Sequence, residues 1–202
     1  MPNWCDNSLM IKGNKESIAK ITELLKSIEG KETGMFQTLV GIDDSGEGHM
    51  KDKLQLNKNG WGTKWDVYGN QIEPSYDDVL ICIYGFQTAW SPPVGFCQML
   101  SKQYGVKCEL QYEEPGNDFC GKTIVEDGEI VDEEDYDYRE GKYKFDNEGF
   151  WYEIDSDIEC YVNDFETGEE FFEGTYKDDD YLDEDDKNEI IKMFNNTKSN
   201  NE

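Results

Sequence analysis

The acidic residues of this chain are not spread along it, and their placement divides the sequence into two halves of different character. Residues 1–105 hold 13 acids and 10 bases, whereas residues 106–202 hold 33 acids and 9 bases. The whole chain therefore carries a formal charge of −27, several times the magnitude of about 2–8 at which a small solvated domain is comfortable. The first half is an ordinary domain in charge terms, and nearly all of the acidity lies after residue 105. No cationic footprint exists for phosphate contacts or for an anionic bilayer, so direct nucleic-acid binding and membrane adhesion are both disfavoured. Aromatic residues make up 13% of the chain and five are tryptophan, which is enough material for a core and argues against full disorder.

The first half reads as alternating strands and helices. Asn7–Lys12 is a short strand closed by Gly13. Asn14 is placed to cap a helix in which Ile18, Ile21, Leu24, Leu25 and Ile28 recur at helical spacing, with Gly30 at its end. Residues 31–78 hold turn formers and read as an irregular insertion with one or two short strands, among them Leu54–Leu56. Val79–Gln87 is apolar on both faces, as a central strand is. Ser91 is a candidate cap before Pro92 and Pro93, and a helix running to Tyr104 would stop at Gly105. Val106–Tyr112 reads as a strand. Phe119–Val125 and Gly128–Val131 read as a hairpin. This order is the split β-α-β arrangement of a ferredoxin-like fold: an α+β domain over residues 1–131, with two helices on one face of an antiparallel sheet.

From residue 132 to 202 the pattern suggests an acidic β-rich extension. Tyr143–Ile154 and Ile158–Tyr176 look like meander strands with aromatic and acidic faces, turning at Asn147-Glu-Gly149 and Glu166-Thr-Gly168. A short helix over 182–194 and a polar tail would close the chain.

Catalytic chemistry has little footing. His49 is the sole histidine and lies in a polar, glycine-rich loop, so a Ser-His or Cys-His dyad is disfavoured. No phosphate-cradling glycine loop is present. Paired carboxylates are too abundant to point to a hydrolase. Asp155/Asp157, Asp178–Asp180 and Asp183–Asp186 offer oxygen ligands, but none has a calcium-loop spacing. The six cysteines, at 5, 82, 97, 108, 120 and 160, form no Cys-x-x-Cys pair, and there is no leader-like N-terminus. Free thiols in a cytoplasmic protein, with no metal and no cofactor, are expected.

Two constellations remain. The first is aromatic: Trp61, Trp65, Asp66 and Trp90 form either a core plug or a pocket for a small ligand or nucleotide. The second is the acidic surface: Asp132, Glu133, Glu134, Asp135, Asp137, Asp155, Asp157, Glu169, Glu170, Asp178, Asp179, Asp180, Asp183, Glu184, Asp185 and Asp186. Tyr136, Tyr138 and Tyr181 lie among these acids as candidate aromatic anchors. These acids form either a plainly solvating surface or a functional one; in the functional reading their density approaches that of a nucleic acid, and a basic partner protein repays the self-repulsion.

Four motifs occur in order: Met1-Pro-Asn-Trp-Cys-Asp-Asn7, Trp61-Gly-Thr-Lys-Trp-Asp66, Phe86-Gln-Thr-Ala-Trp-Ser-Pro-Pro93 and Tyr112-Glu-Glu-Pro-Gly-Asn-Asp-Phe-Cys-Gly121. In these the chain resembles the Api92-like family, with its YubB-type ferredoxin-like domain, over roughly residues 1–122. The resemblance implies a ferredoxin-like fold without an iron–sulfur cluster, and a home on phages, prophages or conjugative plasmids. It carries over Trp4, Trp61, Trp65, Asp66, Trp90, Pro92, Pro93 and Gly121 as shared positions, and no catalytic residue. By analogy with other mobile elements it favours a non-enzymatic inhibitor of host defence (an anti-CRISPR or anti-restriction type) over a ligand-sequestering module.

Overall fold

A computed structural model describes residues 3–41 and 60–201; His49 and the expected strand at Leu54–Leu56 lie outside them. The chain divides into two units, residues 1–138 and 139–202.

The first unit opens with β1 (Trp4–Lys12), whose alternation sends Cys5, Asn7, Leu9 and Ile11 inward. Next comes α1 (Lys15–Ile28), capped as expected: Asn14 Oδ1 accepts the Ser17 N–H at 2.9 Å, and Ile18, Ile21, Leu25 and Ile28 are buried. The insertion holds α2 (Met35–Leu39), a 3-10 turn at Gly69–Gln71 and the two-residue β2 (Ser75–Tyr76). Then come β3 (Leu80–Ala89), α3 (Val94–Tyr104), β4 (Lys107–Glu114), β5 (Phe119–Glu126) and β6 (Glu129–Tyr136). The sheet order is β2-β3-β1-β4-β5-β6, and the β1–β3, β1–β4, β2–β3, β4–β5 and β5–β6 pairings are all antiparallel. Its first four strands are the split β-α-β core of a ferredoxin-like domain, extended at the β4 edge by a hairpin. That hairpin turns on Asp127 and Gly128, both with positive φ (51° and 82°), which suits a tight two-residue connection. The hydrophobic core joins the inward face of β1, β3 and β4 to α1 and α3, for example Leu9, Ile83 and Leu110 against Ile21 and Phe96. β3 carries a bulge opposite Ser8, absorbed by Gly85 at φ 66°.

Ser91 does not cap α3. Its hydroxyl donates to Gly62 O at 2.6 Å, and the Phe96 N–H instead donates to Trp61 O at 3.0 Å, so the tryptophan loop closes the helix start. At the other end Gly105 takes φ 62° and provides the stop that its place in the sequence implies.

The second unit corrects the sequence reading. The expected meander is helical: α4 (Tyr138–Phe145), α5 (Asn147–Tyr161), α6 (Gly168–Thr175) and α7 (Glu184–Asn201). β6, most of which falls within the expected extension, belongs to the ferredoxin-like sheet. The residues expected to form turns are helix starts. Asp146 Oδ1 accepts the Gly149 N–H at 2.8 Å, and Thr167 Oγ1 accepts the Glu170 N–H at 3.2 Å. Phe150, Ile154 and Ile158 recur every four residues and are buried with Phe171, Phe172, Ile190 and Phe194. Phe171 and Phe194 stack at 4.8 Å. The aromatic residues that suggest strands are the inward stripe of a small helical bundle. Its helix α7 also continues through the residues expected to be a polar tail.

Candidate functional site

Residues of the four motifs meet at the end of the sheet where β1 begins and β3 ends. Asn7, 2% exposed, donates through Nδ2 to Cys5 O, Phe86 O and Thr88 Oγ1 at 2.8, 3.2 and 2.9 Å. Thr88 donates to Ser91 O, and Thr63 donates to Ala89 O. Trp90 takes φ 76° and its N–H donates to Asn3 O. Buried polar groups of this kind must be paired to be tolerated. The motif residues therefore hold together the turns at this end of the domain.

The tryptophans split into two roles. Trp61 is 4% exposed, packs edge-on to Phe36 at 5.5 Å and donates Nε1 to Gly41 O, which makes it a core plug. Trp65 is 46% exposed and lies 6.1 Å from Trp4, which is 45% exposed. At that separation and a 51° tilt the two rings pack directly on each other. No slot is left between them for a planar base. They border a groove of about 630 Å³ that is lined also by Tyr68 and Gln71 and by Gly85 and Gln87 of β3. Trp90 does not line it. Asp66 touches it but serves the fold: its carboxylate accepts from Phe36 N, Gln37 N and Val67 N at 2.7–3.0 Å and so caps α2. Burial pushes its pKa up, against those hydrogen bonds. Of the plug and the pocket left open for Trp61, Trp65, Asp66 and Trp90, Trp61 is a plug, Trp65 and Asp66 line a groove with Trp4, and Trp90 lies outside that groove.

Gly121 is shared with the motif for a packing reason. The Tyr112 hydroxyl donates to Asp135 Oδ1 at 2.5 Å across β5 at this point, and a Cβ on Gly121 would lie 2.7 Å from both atoms.

The acidic residues divide as well. Asp132, Glu133, Asp135 and Asp137 are exposed on or just after β6, the outer strand of the sheet, and Glu134 is half-buried there. In the helical unit Asp155, Glu169, Glu170, Asp178, Asp180, Asp183, Glu184 and Asp185 are exposed. Others hold the fold. Asp179, with 8% of its side chain exposed, pairs with Arg139, whose guanidinium also lies over the rings of Phe150 and Tyr176 at 5.2 and 5.1 Å. Asp157 accepts the Tyr176 hydroxyl at 2.7 Å. Asp183 and Asp186 take part in hydrogen bonds at the start of α7. The expected anchors Tyr136, Tyr138 and Tyr181 are all half-buried.

The sequence reading missed the exposed aromatic among the acids. Tyr152 is 74% exposed on α5. Glu148, Tyr152, Asp155 and Glu159 recur at i, i+4, i+7 and i+11, which places them on one helix face, and all four are exposed. α5 carries five acids and no base. The spacing signal is visible once the segment is taken as a helix.

Burial pushes the Cys5 thiol up to about 12, so it stays protonated and inert. Cys82, Cys97, Cys108 and Cys120 are buried free thiols, while Cys160 is exposed. Among the described residues no group of three or more His, Cys, Asp or Glu side chains could hold a metal ion. Nor, among them, is any helix long and apolar enough to cross a membrane.

Comparison with known families agrees with the topology. Residues 64–155 match the family model described as the ferredoxin-like domain in Api92-like protein. The chain carries an Api92-like ferredoxin-like domain. The match runs from the loop before β2 through β6, α4 and most of α5. It reaches farther into the acidic half than the motifs suggest, taking in Tyr152 and Asp155. Among solved structures, the crystal structure of protein api92 from Yersinia pseudotuberculosis covers 67% of this chain and 98% of its own, at 12% identity and a TM-score of 0.37. Comparison with curated proteins gives no match.

Proposed function

We propose that this protein is a non-enzymatic binding protein whose acidic surface docks onto the basic, nucleic-acid-binding surface of a partner protein. The observation that carries this reading is the outer face of α5, where a tyrosine 74% exposed sits within a row of carboxylates on a helix that has no basic residue. Exposed tyrosines surrounded by charge are the kind of residue that supplies most of the energy at an interface. Carboxylates around such an anchor steer a basic partner and reject acidic ones. The exposed acids of β6 supply further charge of the same sign. The resemblance to Api92-like proteins implies carriage on a mobile element, for which a host defence enzyme is the natural partner, and the protein then acts as its inhibitor by occupying the site of the nucleic acid.

The test is capture from bacterial host lysate on the immobilised chain, eluted with a salt gradient. The expected captures are basic nucleic-acid-binding proteins that are released by salt and by competing DNA. The variant Asp155→Lys/Glu159→Lys should lose them. Retention of the same proteins by that variant, or captures that DNA does not displace, would sink the proposal.

A further inference from the structure

The two edges of the six-stranded sheet are built differently. β6 carries five carboxylates in eight residues, which is how natural sheets guard an edge against pairing with another chain. On the opposite side β3 has no charged residue from Leu80 to Ala89. Its cover is β2, which pairs only with Ile81 and Cys82. Among the described residues no strand lies along the outer edge of β3 beyond that point. Trp65, Asp66, Tyr68 and Gln71 line the 630 Å³ groove together with Gly85 and Gln87 of β3. Gly85 carries the bulge of β3, and a Cβ there would meet nothing within 4 Å, so the face of the sheet is open at that point. The exposed aromatics of this unit gather around the same edge: Trp4, Trp65 and Tyr68 are 45–46% exposed and Tyr84 is 61% exposed.

We propose that the outer edge of β3 at Tyr84–Gln87 is a strand-addition site for an extended, basic segment of a partner polypeptide, with Trp4 and Trp65 receiving its side chains. Strand addition draws affinity from main-chain hydrogen bonds and selectivity from pockets for alternate side chains. Four residues of strand span about 13 Å, room for two such side chains on the groove face. Charge selects the occupant. Edge-to-edge pairing with a second copy brings together two ferredoxin-like units that each hold 25 acids and 12 bases, whereas a basic segment is drawn towards the field of that unit. The site belongs to the first unit and α5 to the second, so either reading can fail alone.

The probe is a capped Lys-Val-Lys-Val-Lys-Val peptide added to the full chain at about 0.3 M salt, where the Debye length is well under 10 Å and surface attraction is screened. The controls are the same peptide N-methylated at alternate amides and its Glu-Val counterpart. Amide hydrogen exchange is read residue by residue, together with tryptophan fluorescence. The expected result is at least a tenfold slowing at one or more of the Tyr84, Gly85 and Gln87 amides, with a shift in tryptophan emission. Trp4→Ala/Trp65→Ala should weaken peptide binding at least tenfold while the exchange of the β1–β3 ladder stays unchanged. Unchanged exchange at β3, equal protection by the N-methylated peptide, or equal binding of the Glu-Val peptide when the comparison is repeated below about 0.1 M salt, where the Debye length is about 10 Å or more, would each overturn the proposal. So would protection of the same amides that rises with protein concentration in the absence of peptide, because that is pairing with a second copy.

Discussion

Replacing Phe194 by alanine should strongly destabilise residues 139–202 and leave the ferredoxin-like sheet standing. Phe194 is fully buried and stacks on Phe171 at 4.8 Å and 20°. Truncating a buried phenylalanine costs about 3–5 kcal/mol, the transfer term plus the cavity left behind. The helical unit is 64 residues long, and at about 0.05–0.15 kcal/mol per residue its whole stability is only about 3–10 kcal/mol. One substitution therefore removes from a third to all of it. The buried clusters of the two units share no residue, so the loss should stay within the second. The assay is urea denaturation followed by circular dichroism at 222 nm, with hydrogen exchange resolved by segment. Protection should vanish in α5, α6 and α7 at low urea while β1, β3 and β4 keep theirs. A destabilisation under about 1 kcal/mol, or simultaneous loss of protection in both units, would refute the account of two separate cores.

Other substitutions and conditions probe the motif residues. Gly121→Ala pushes a methyl group against the Glu134 carbonyl of β6 and into the Tyr112–Asp135 hydrogen bond, and overpacking of this kind should cost about 1–3 kcal/mol in a urea titration; no loss would mean the glycine is there for another reason. The Cys5 thiol is pushed up to about 12 by burial, and the Tyr112 and Tyr176 hydroxyls are raised by burial too. Each stays protonated in the fold while its unfolded counterpart ionises, from an ordinary value of 9.0 for the thiol and 10.0 for the phenols. Their stabilising contribution is therefore complete below about pH 9 and is lost as pH rises, by up to about 1.4 kcal/mol per pH unit for each group. Thermal unfolding between pH 8 and 10.5 should show that fall, and a flat profile would contradict it. At pH 8 in native buffer, Cys160 should react with iodoacetamide while Cys5 does not; equal labelling would be inconsistent with the buried thiol.

The elements legible in the sequence are those whose signals are local. Asn14 and Gly30 bound α1 because a cap and a left-handed stop act within one turn. Asp127-Gly128 makes the β5–β6 hairpin for the same reason. The run Val79–Gln87 betrays a strand through its lack of charge, but its expected central place holds only in part, since β2 covers β3 only at Ile81 and Cys82 and Tyr84, Gly85 and Gln87 are exposed. Residues 139–202 mislead because Phe150, Trp151 and Tyr152 are consecutive, and bulky aromatics have strand propensity that tertiary packing overrides. The four-residue recurrence of Phe150, Ile154 and Ile158, and Thr167 three residues before Glu170, are the signals to weigh more heavily. At the site, Trp4 and Trp65 are far apart in sequence and meet only when β1 lies beside β3. Asp179 looks like any other surface acid until Arg139 is seen beside it. Tyr152 becomes an anchor only when α5 is a helix.

The central claim is that the acidic surface binds a basic partner through Tyr152 and its neighbouring carboxylates. The measurement that tests it most directly is the affinity of the captured partner for the wild-type chain and for Tyr152→Ala across a salt series. The account predicts that affinity falls steeply with salt. It also predicts that Tyr152→Ala costs about 2 kcal/mol, close to thirtyfold, at every salt concentration. Affinity that is flat in salt, or unchanged when Tyr152 is removed, would contradict it.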